Sequence, residues 1–179
     1  MIKKIVTWCD RMADWGGYLS GLIICLGLCL TLAEIVQRSF FDRTLYVAEE
    51  YCGYFMCALT FSALAYTLKE RAHIRMTFLH KVVIGRPRLI LDTVCYAIGF
   101  LFCLYLSYFN FMFFWDSVLV GSQSIQISET YLAIPQFFLA LGALMLTLQF
   151  LGEFLRSILM IKGAINSSEF ITEQDNLGR

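Results

Sequence analysis

The sequence predicts an all-α, polytopic membrane protein with four transmembrane helices, both termini in the cytoplasm, and interfacial amphipathic helices beside the spans. Three observations carry that reading. Hydrophobic residues make up 59% of the 179 positions and the mean hydropathy is +0.67, above the range of ordinary soluble domains. Four segments, 15–33, 51–68, 93–115 and 130–152, contain no charged residue, and each is long enough to cross a hydrocarbon core of about 30 Å as a helix. One such run fits the buried core of a soluble protein. Four in series require a bilayer, where each backbone group must be bonded within its own helix. Lastly, Lys and Arg are unevenly placed. The lead before the first span holds three, the connection between the second and third spans six, and the C-terminal flank three, whereas the other two connections share only Arg38 and Arg43. Such an excess marks the cytoplasmic side.

Residues 1–14 place Ile5, Trp8, Cys9 and Met12 on one helical face, with Lys3, Lys4, Asp10 and Arg11 largely off it. That is the pattern of a helix lying in the interface. Span 1 is expected over 15–36. It has no convincing small-x-small cleavage site, and its apolar run is longer than a signal-peptide core, so it is expected to stay as a signal anchor. Glu34 and Arg38, four apart at its end, are neighbours on a helix surface. A periplasmic loop over 39–46 leads to span 2, expected over 49–68. This span opens on Glu49 and Glu50, where a helix N-terminus stabilises carboxylates. It closes on a basic cluster of Lys69, Arg71, His73 and Arg75. Arg71, His73 and Arg75 suit anionic headgroups or a partner subunit; a basic loop that only sets topology would carry the same residues.

The cytoplasmic loop 69–90 places Ile74, Phe78, Leu79, Val82 and Val83 on one helical face, which predicts a surface-lying helix that stops near Gly85 and Pro87. Span 3, over 91–115, gathers aromatic residues towards its end as a headgroup belt requires. The periplasmic loop 116–130 holds no Lys or Arg. Span 4, over 131–156, carries Pro135 early, where the fewest helical bonds are lost. Residues 1–162 thus form one transmembrane domain. The polar, aperiodic stretch 163–179 is expected to be a disordered cytoplasmic tail.

Apolar helices in lipid gain little from hydrophobicity against one another, so small residues mark where backbones approach. Gly17, Gly21, Cys25, Cys29 and Ala33 recur at every fourth position in span 1, and Cys95, Gly99, Cys103 and Ser107 do so in span 3. Four-residue spacing drifts about 40° per step around a helix of 3.6 residues per turn, so each stripe suits a crossing or wrapped contact. The seven cysteines contain no C-x-x-C pair and are read as small apolar residues; no metal is expected. No span has a charge at its centre, and both histidines, His73 and His80, fall in the loop between spans 2 and 3. Pumps and channels need ionisable groups deep in the bilayer. No nucleophile elbow or phosphate loop is present either. The chain is therefore expected to be no enzyme, to have no catalytic or substrate-binding residues and no cofactor, and not to bind nucleic acid.

From Arg38 to Arg75 the sequence resembles the small membrane subunit, the four-span Q-type subunit, of tripartite ATP-independent periplasmic (TRAP) transporters. The matching elements are Arg38 near the end of span 1, the pair Glu49 and Glu50 opening span 2, the R-x-H-x-R run of Arg71, His73 and Arg75 closing it, and Pro135 at the entry to span 4. Val47 stands where that family often has Trp, Ala72 where it often has Gly, and Met76 and Thr77 follow the basic run where it often has Asp. The resemblance implies a scaffold role in a bacterial inner membrane. The small subunit would brace a large multi-spanning elevator-type permease subunit and help to dock a periplasmic substrate-binding protein. The assembly would take up an organic acid coupled to sodium. Membrane lipids are the remaining expected partner.

Two readings of other classes compete. A self-sufficient four-span proton-coupled exporter would use Glu34 as its site, but Glu34 lies near a span end and the long basic loop would be surplus. A membrane anchor of a redox enzyme would need haem ligands, and the spans contain no histidine. The charge bias makes a direct prediction. Topology reporters fused after Arg179 and within 116–130 should report opposite compartments, cytoplasmic and periplasmic; matching compartments would contradict four spans.

Overall fold

The computed structural model describes residues 2–42, 44, 46–70, 86–126 and 128–161. It has four helices long and apolar enough to cross a membrane: α1 (Ile2–Phe41), α2 (Tyr46–Lys69), α3 (Arg86–Val120) and α4 (Ala133–Ile161). They run up and down in turn. The end where α1 begins is called the near end, and the end where α1 finishes is the far end. Expected loop helix 74–83, residues Arg71, His73 and Arg75, and the tail 163–179 lie outside the described residues.

The helices are longer than the bilayer requires. α1 has 40 residues, about 60 Å at about 1.5 Å per residue. The expected interface helix over 1–14 is corrected in form: from Ile2 it is continuous with the first span. No proline interrupts it, and its polar side chains Asp10 and Asp14 reach basic partners on α4 and α2. The face predicted from Ile5, Trp8, Cys9 and Met12 is also rotated. Val6, Cys9 and Ala13 are buried, while Ile5 and Trp8 are exposed.

Helix ends follow local chemistry. α1 stops at Asp42, whose φ of 48° is left-handed, a conformation that Asp tolerates better than most side chains. α3 stops at Gly121, φ 66°, where the Gly121 and Ser122 amides both donate to the Ser117 carbonyl at 3.1 and 3.2 Å; a glycine just past the last turn allows this closure. Pro87 and Pro135 both fall in the first turn of their helices, α3 and α4, where a missing amide costs no helical bond.

α4 is the central helix. It packs against α1, α2 and α3, and α1 also packs on α2, while α3 rests mainly on α4. Half of the most apolar window of α4, 50%, is buried within the chain, against 11% for α1 and 11% for α3. Backbones meet closely where side chains are small. A Cβ on Gly142 would stand 2.5 Å from the Phe61 carbonyl oxygen of α2, and one on Gly16 would stand 2.5 Å from the Ser62 carbonyl oxygen. Ala13, Ala65 and Met145 fill the point where α1, α2 and α4 converge. Leu68, Cys103 and Leu146 do the same for α2, α3 and α4.

The two small-residue stripes part company here. In span 3, Gly99, Cys103 and Ser107 face α4: a Cβ on Gly99 would meet the Phe150 ring at 2.5 Å, and Cys103 and Ser107 are buried. Cys95 is exposed. In span 1 only Gly17 packs within the chain, on the Tyr66 ring; Gly21 has nothing within 4 Å, and Cys25, Cys29 and Ala33 are exposed. The face of α1 that does pack reads Val6, Cys9, Ala13, Gly16, Ser20, Ile23, and its alternating three- and four-residue steps stay on one side of a helix.

A paired substitution tests this packing. Gly142→Leu drives a side chain into the Phe61 backbone, which cannot move away, and should lower the stability of the purified chain by about 1–3 kcal/mol. Gly21→Leu should leave it unchanged. Thermal unfolding in one detergent measures both.

Candidate functional site

Polar side chains collect at the two ends of the bundle and make two different constructions. At the far end, α2 begins with Glu49 outward and Glu50 inward. Successive side chains on a helix lie about 100° apart, so one of the pair turns to solvent and the other is buried. Glu50 Oε1 accepts from the Tyr54 hydroxyl at 2.5 Å, one turn along. Its other oxygen accepts from the hydroxyl of Ser128, and the Ser124 hydroxyl stands beside it. Thr130 Oγ1 lies 2.9 Å from Ser128 Oγ and 3.4 Å from Tyr51 Oη. The carboxylate thus gathers the loop between α3 and α4 onto the start of α2. The loop itself is a short hairpin. Gln123 bridges Tyr131, Ser124 donates to the Thr130 carbonyl at 2.9 Å, and Leu132 donates to that of Ser122 at 3.0 Å.

At the near end the chemistry is ionic. Arg156 on α4 donates to Asp10 of α1 at 2.7 Å and to Glu153, one turn away, at 2.8 Å. The Gln149 amide completes Asp10 at 3.1 Å. Glu153 and Gln149 are almost wholly buried, each 1% exposed. Lys69, the last residue of α2, pairs with Asp14 of α1. On the other flank of α4 the Ser157 and Thr93 hydroxyls lie 2.6 Å apart, tying in α3. Deeper in the bundle the Thr147 hydroxyl stands 3.0 Å from the Cys103 carbonyl of α3 and 2.8 Å from the Ala143 carbonyl of its own helix. A membrane-buried hydrogen bond of this kind contributes about 0.6 kcal/mol.

Of the residues singled out from sequence, the structure brings Glu50 into a cluster, while Glu49 and Arg38 are exposed. Glu34 and Arg38 form no ion pair. The near-end network of Asp10, Asp14, Gln149, Glu153 and Arg156 was not predicted. Its one local signal was the three-residue spacing of Glu153 and Arg156, which places them on one helix face. All seven cysteines are free.

Four long apolar helices, with their ionisable groups gathered at either end, define a polytopic membrane protein of the helical-bundle class. Its sequence places it more narrowly. Residues 27–160 match the family described as tripartite ATP-independent periplasmic transporters, DctQ component, and the chain belongs to that family. The family is one of transporter components, not of enzymes, and a component implies partner subunits. Comparisons with curated proteins and with solved structures gave no match.

The near-end network predicts its own sensitivity. Arg156→Met removes the cation that Asp10 and Glu153 share and should destabilise the chain by about 3 kcal/mol, the lower end of the range for breaking a buried pair. The lower end applies because Arg156 and Asp10 keep 24% and 21% of their side-chain surface. Asp10→Asn, which still accepts from Gln149, should cost less. Denaturation of the purified variants in mixed micelles checks the order.

Proposed function

We propose that the chain is the small bracing subunit of a TRAP-type secondary transporter in a bacterial inner membrane, with both termini in the cytoplasm. It holds a large multi-spanning permease subunit, which carries the substrate and the coupling ion, and contributes to the surface on which a periplasmic substrate-binding protein docks. The cargo class is an organic acid and the coupling ion is sodium.

Beyond the family, the observation that supports the bracing role is the one-sided packing of α1. Past Ser20 it meets α2, with Gly27 beside Phe55 and the Thr31 hydroxyl 3.6 Å from the Cys52 sulfur. Gly21, Cys25, Cys29 and Ala33 lie open on the same helix. Small residues at an uncovered helix face suit close approach by a further membrane helix, because packing rather than hydrophobic transfer drives association in lipid. A face that met only lipid would gain nothing from glycine, which weakens a helix by about 1 kcal/mol relative to alanine. Arg38, Glu49 and the basic run Arg71, His73, Arg75 are the candidate subunit or lipid contacts at the two surfaces.

Co-expression with the large subunit tests this. Gly21→Leu should reduce co-purification of the large subunit while the small subunit keeps its own thermal stability, and Leu22→Phe should reduce it much less. The purified chain alone in liposomes should move no substrate. Equal co-purification by both variants, or substrate-dependent sodium or proton flux from the chain alone, would contradict the bracing role.

A further inference from the structure

Residues 4–14 of α1 carry charges of both signs, and the fold sorts them by side. Asp10 and Asp14 turn to neighbouring helices and are neutralised there, by Arg156 at 2.7 Å and by Lys69. The other described acids at this end are engaged as well. Glu153 shares Arg156, Glu70 lies 3.8 Å from Lys69, and Asp92 also has an interaction partner. Lys4 and Arg11, in contrast, are exposed and form no ion pair among the described residues. The outer side of α1 is therefore positive.

On that side the two cations alternate with aromatic rings. Lys4, Trp8, Arg11, Trp15 and Tyr18 follow steps of four and three residues, which keep them within about 80° of arc. They lie opposite the packed face of Val6, Cys9, Ala13 and Gly16, and Trp8, Trp15 and Tyr18 are 53%, 72% and 78% exposed. The uncharged segment begins at Trp15, which puts the hydrocarbon edge there. Arg11 stands about 6 Å further out, at about 1.5 Å per residue, within a headgroup layer of about 5–8 Å.

Trp and Tyr at a membrane edge are ordinary and select no headgroup. An unpaired arginine at phosphate depth, with an indole about one turn away on either side, does select one. A guanidinium bonds phosphate oxygens two at a time, and each indole has one N–H to donate. Each basic residue near the surface favours anionic over neutral lipid. The stripe contains none of the small residues that mark close helix contact. The tail 163–179 carries Glu169, Glu173 and Asp175, but a polar segment gives no cover to Trp15 and Tyr18 inside the hydrocarbon edge.

We propose that this outer face of α1 binds an anionic phospholipid of the near-end leaflet, with Arg11 holding the phosphate and Trp8 and Trp15 flanking it. The site is separate from the small-residue face of the same helix and does not depend on the bracing role.

Tryptophan quenching tests it on the full chain. There are three tryptophans, and Trp115→Phe leaves Trp8 and Trp15 as reporters on the face itself. The chain is reconstituted in phosphatidylcholine bilayers that contain a small fraction of either brominated phosphatidylglycerol or brominated phosphatidylcholine. Brominated phosphatidylglycerol should quench more at equal mole fraction, with the excess shrinking as salt screens it. Arg11→Gln should lower the relative association constant about fivefold, Lys4→Gln by less because it lies further out, and Arg38→Gln at the far end not at all. Thermal stability and co-purification of the large subunit should be unchanged in Arg11→Gln. Equal quenching by the two lipids, an aromatic belt without selectivity, overturns the site, as does an unchanged excess in Arg11→Gln. Loss of co-purification in Arg11→Gln assigns the face to a protein partner and overturns it too. The triple variant Glu169→Gln, Glu173→Gln, Asp175→Asn should quench as the parent does; a larger excess would show that the tail occupies the face, which also overturns the proposal.

Discussion

The carbonyl of Phe61 stands where a side chain on residue 142 would have to be, and the carbonyl of Ser62 does the same for residue 16. These two close approaches hold the bundle. In lipid, apolar helices gain almost nothing by exchanging lipid contacts for one another, so the attraction comes from dense packing at short range and from a few hydrogen bonds. Gly142 lets α4 settle on α2, and Gly16 brings α1 onto the same stretch of α2. Met145 then closes the triangle, its Cε 3.3 Å from where a Gly16 Cβ would be. α3 is added through Gly99, against the Phe150 ring, and the Thr147 hydroxyl.

Close packing of small residues leaves one freedom poorly controlled, because similar apolar faces can slide by a turn with little loss. The near-end network removes it. Arg156 can meet Asp10 and Glu153 together only when α1 and α4 are in one register, and Lys69 meets Asp14 only when α2 is in register with α1. Buried ion sets add little net stability compared with apolar packing, because desolvation offsets most of the attraction. Their use here is in specifying arrangement. Any slipped register would part Arg156 from Asp10, and breaking a buried ion pair costs several kcal/mol.

The four helices were legible because a long uncharged segment has few alternatives once water is absent. The finer packing was less so, for physical reasons visible at particular residues. A strict four-residue repeat picked out Gly17, Gly21, Cys25, Cys29 and Ala33, yet four-residue steps rotate off a straight seam, and the seam inside the chain runs through Cys9, Ala13, Gly16 and Ser20 with alternating steps. Gly142 was missed because it stands alone, with no second glycine at helical spacing nearby in α4 on that face. Asp10 and Asp14 read locally as headgroup residues; their partners on α4 and α2 are more than fifty residues away in sequence. Glu49 and Glu50 could not be told apart until a neighbouring element fixed which side of α2 faces inward. Local pattern shows that a helix has faces, but only the fold says what each face meets.

The bundle's two ends also divide the labour between holding still and reaching out. The far-end hairpin stands on Glu50, four residues into α2, and the same helix is fixed to α4 eleven residues further on at Phe61. A displacement at the loop must therefore either break the carboxylate clamp or move α2 against α4, where there is no space to move. The open face of α1 shares that frame through Gly16 and Ser62. The chain thus offers an uncovered helix face within the membrane and a clamped loop beyond it, at a fixed distance from each other. Under the function proposed above, a component that braces a membrane partner needs that rigidity more than it needs a polar pathway of its own. The positions of its charges, at the ends and not at the centre, are consistent with such a division.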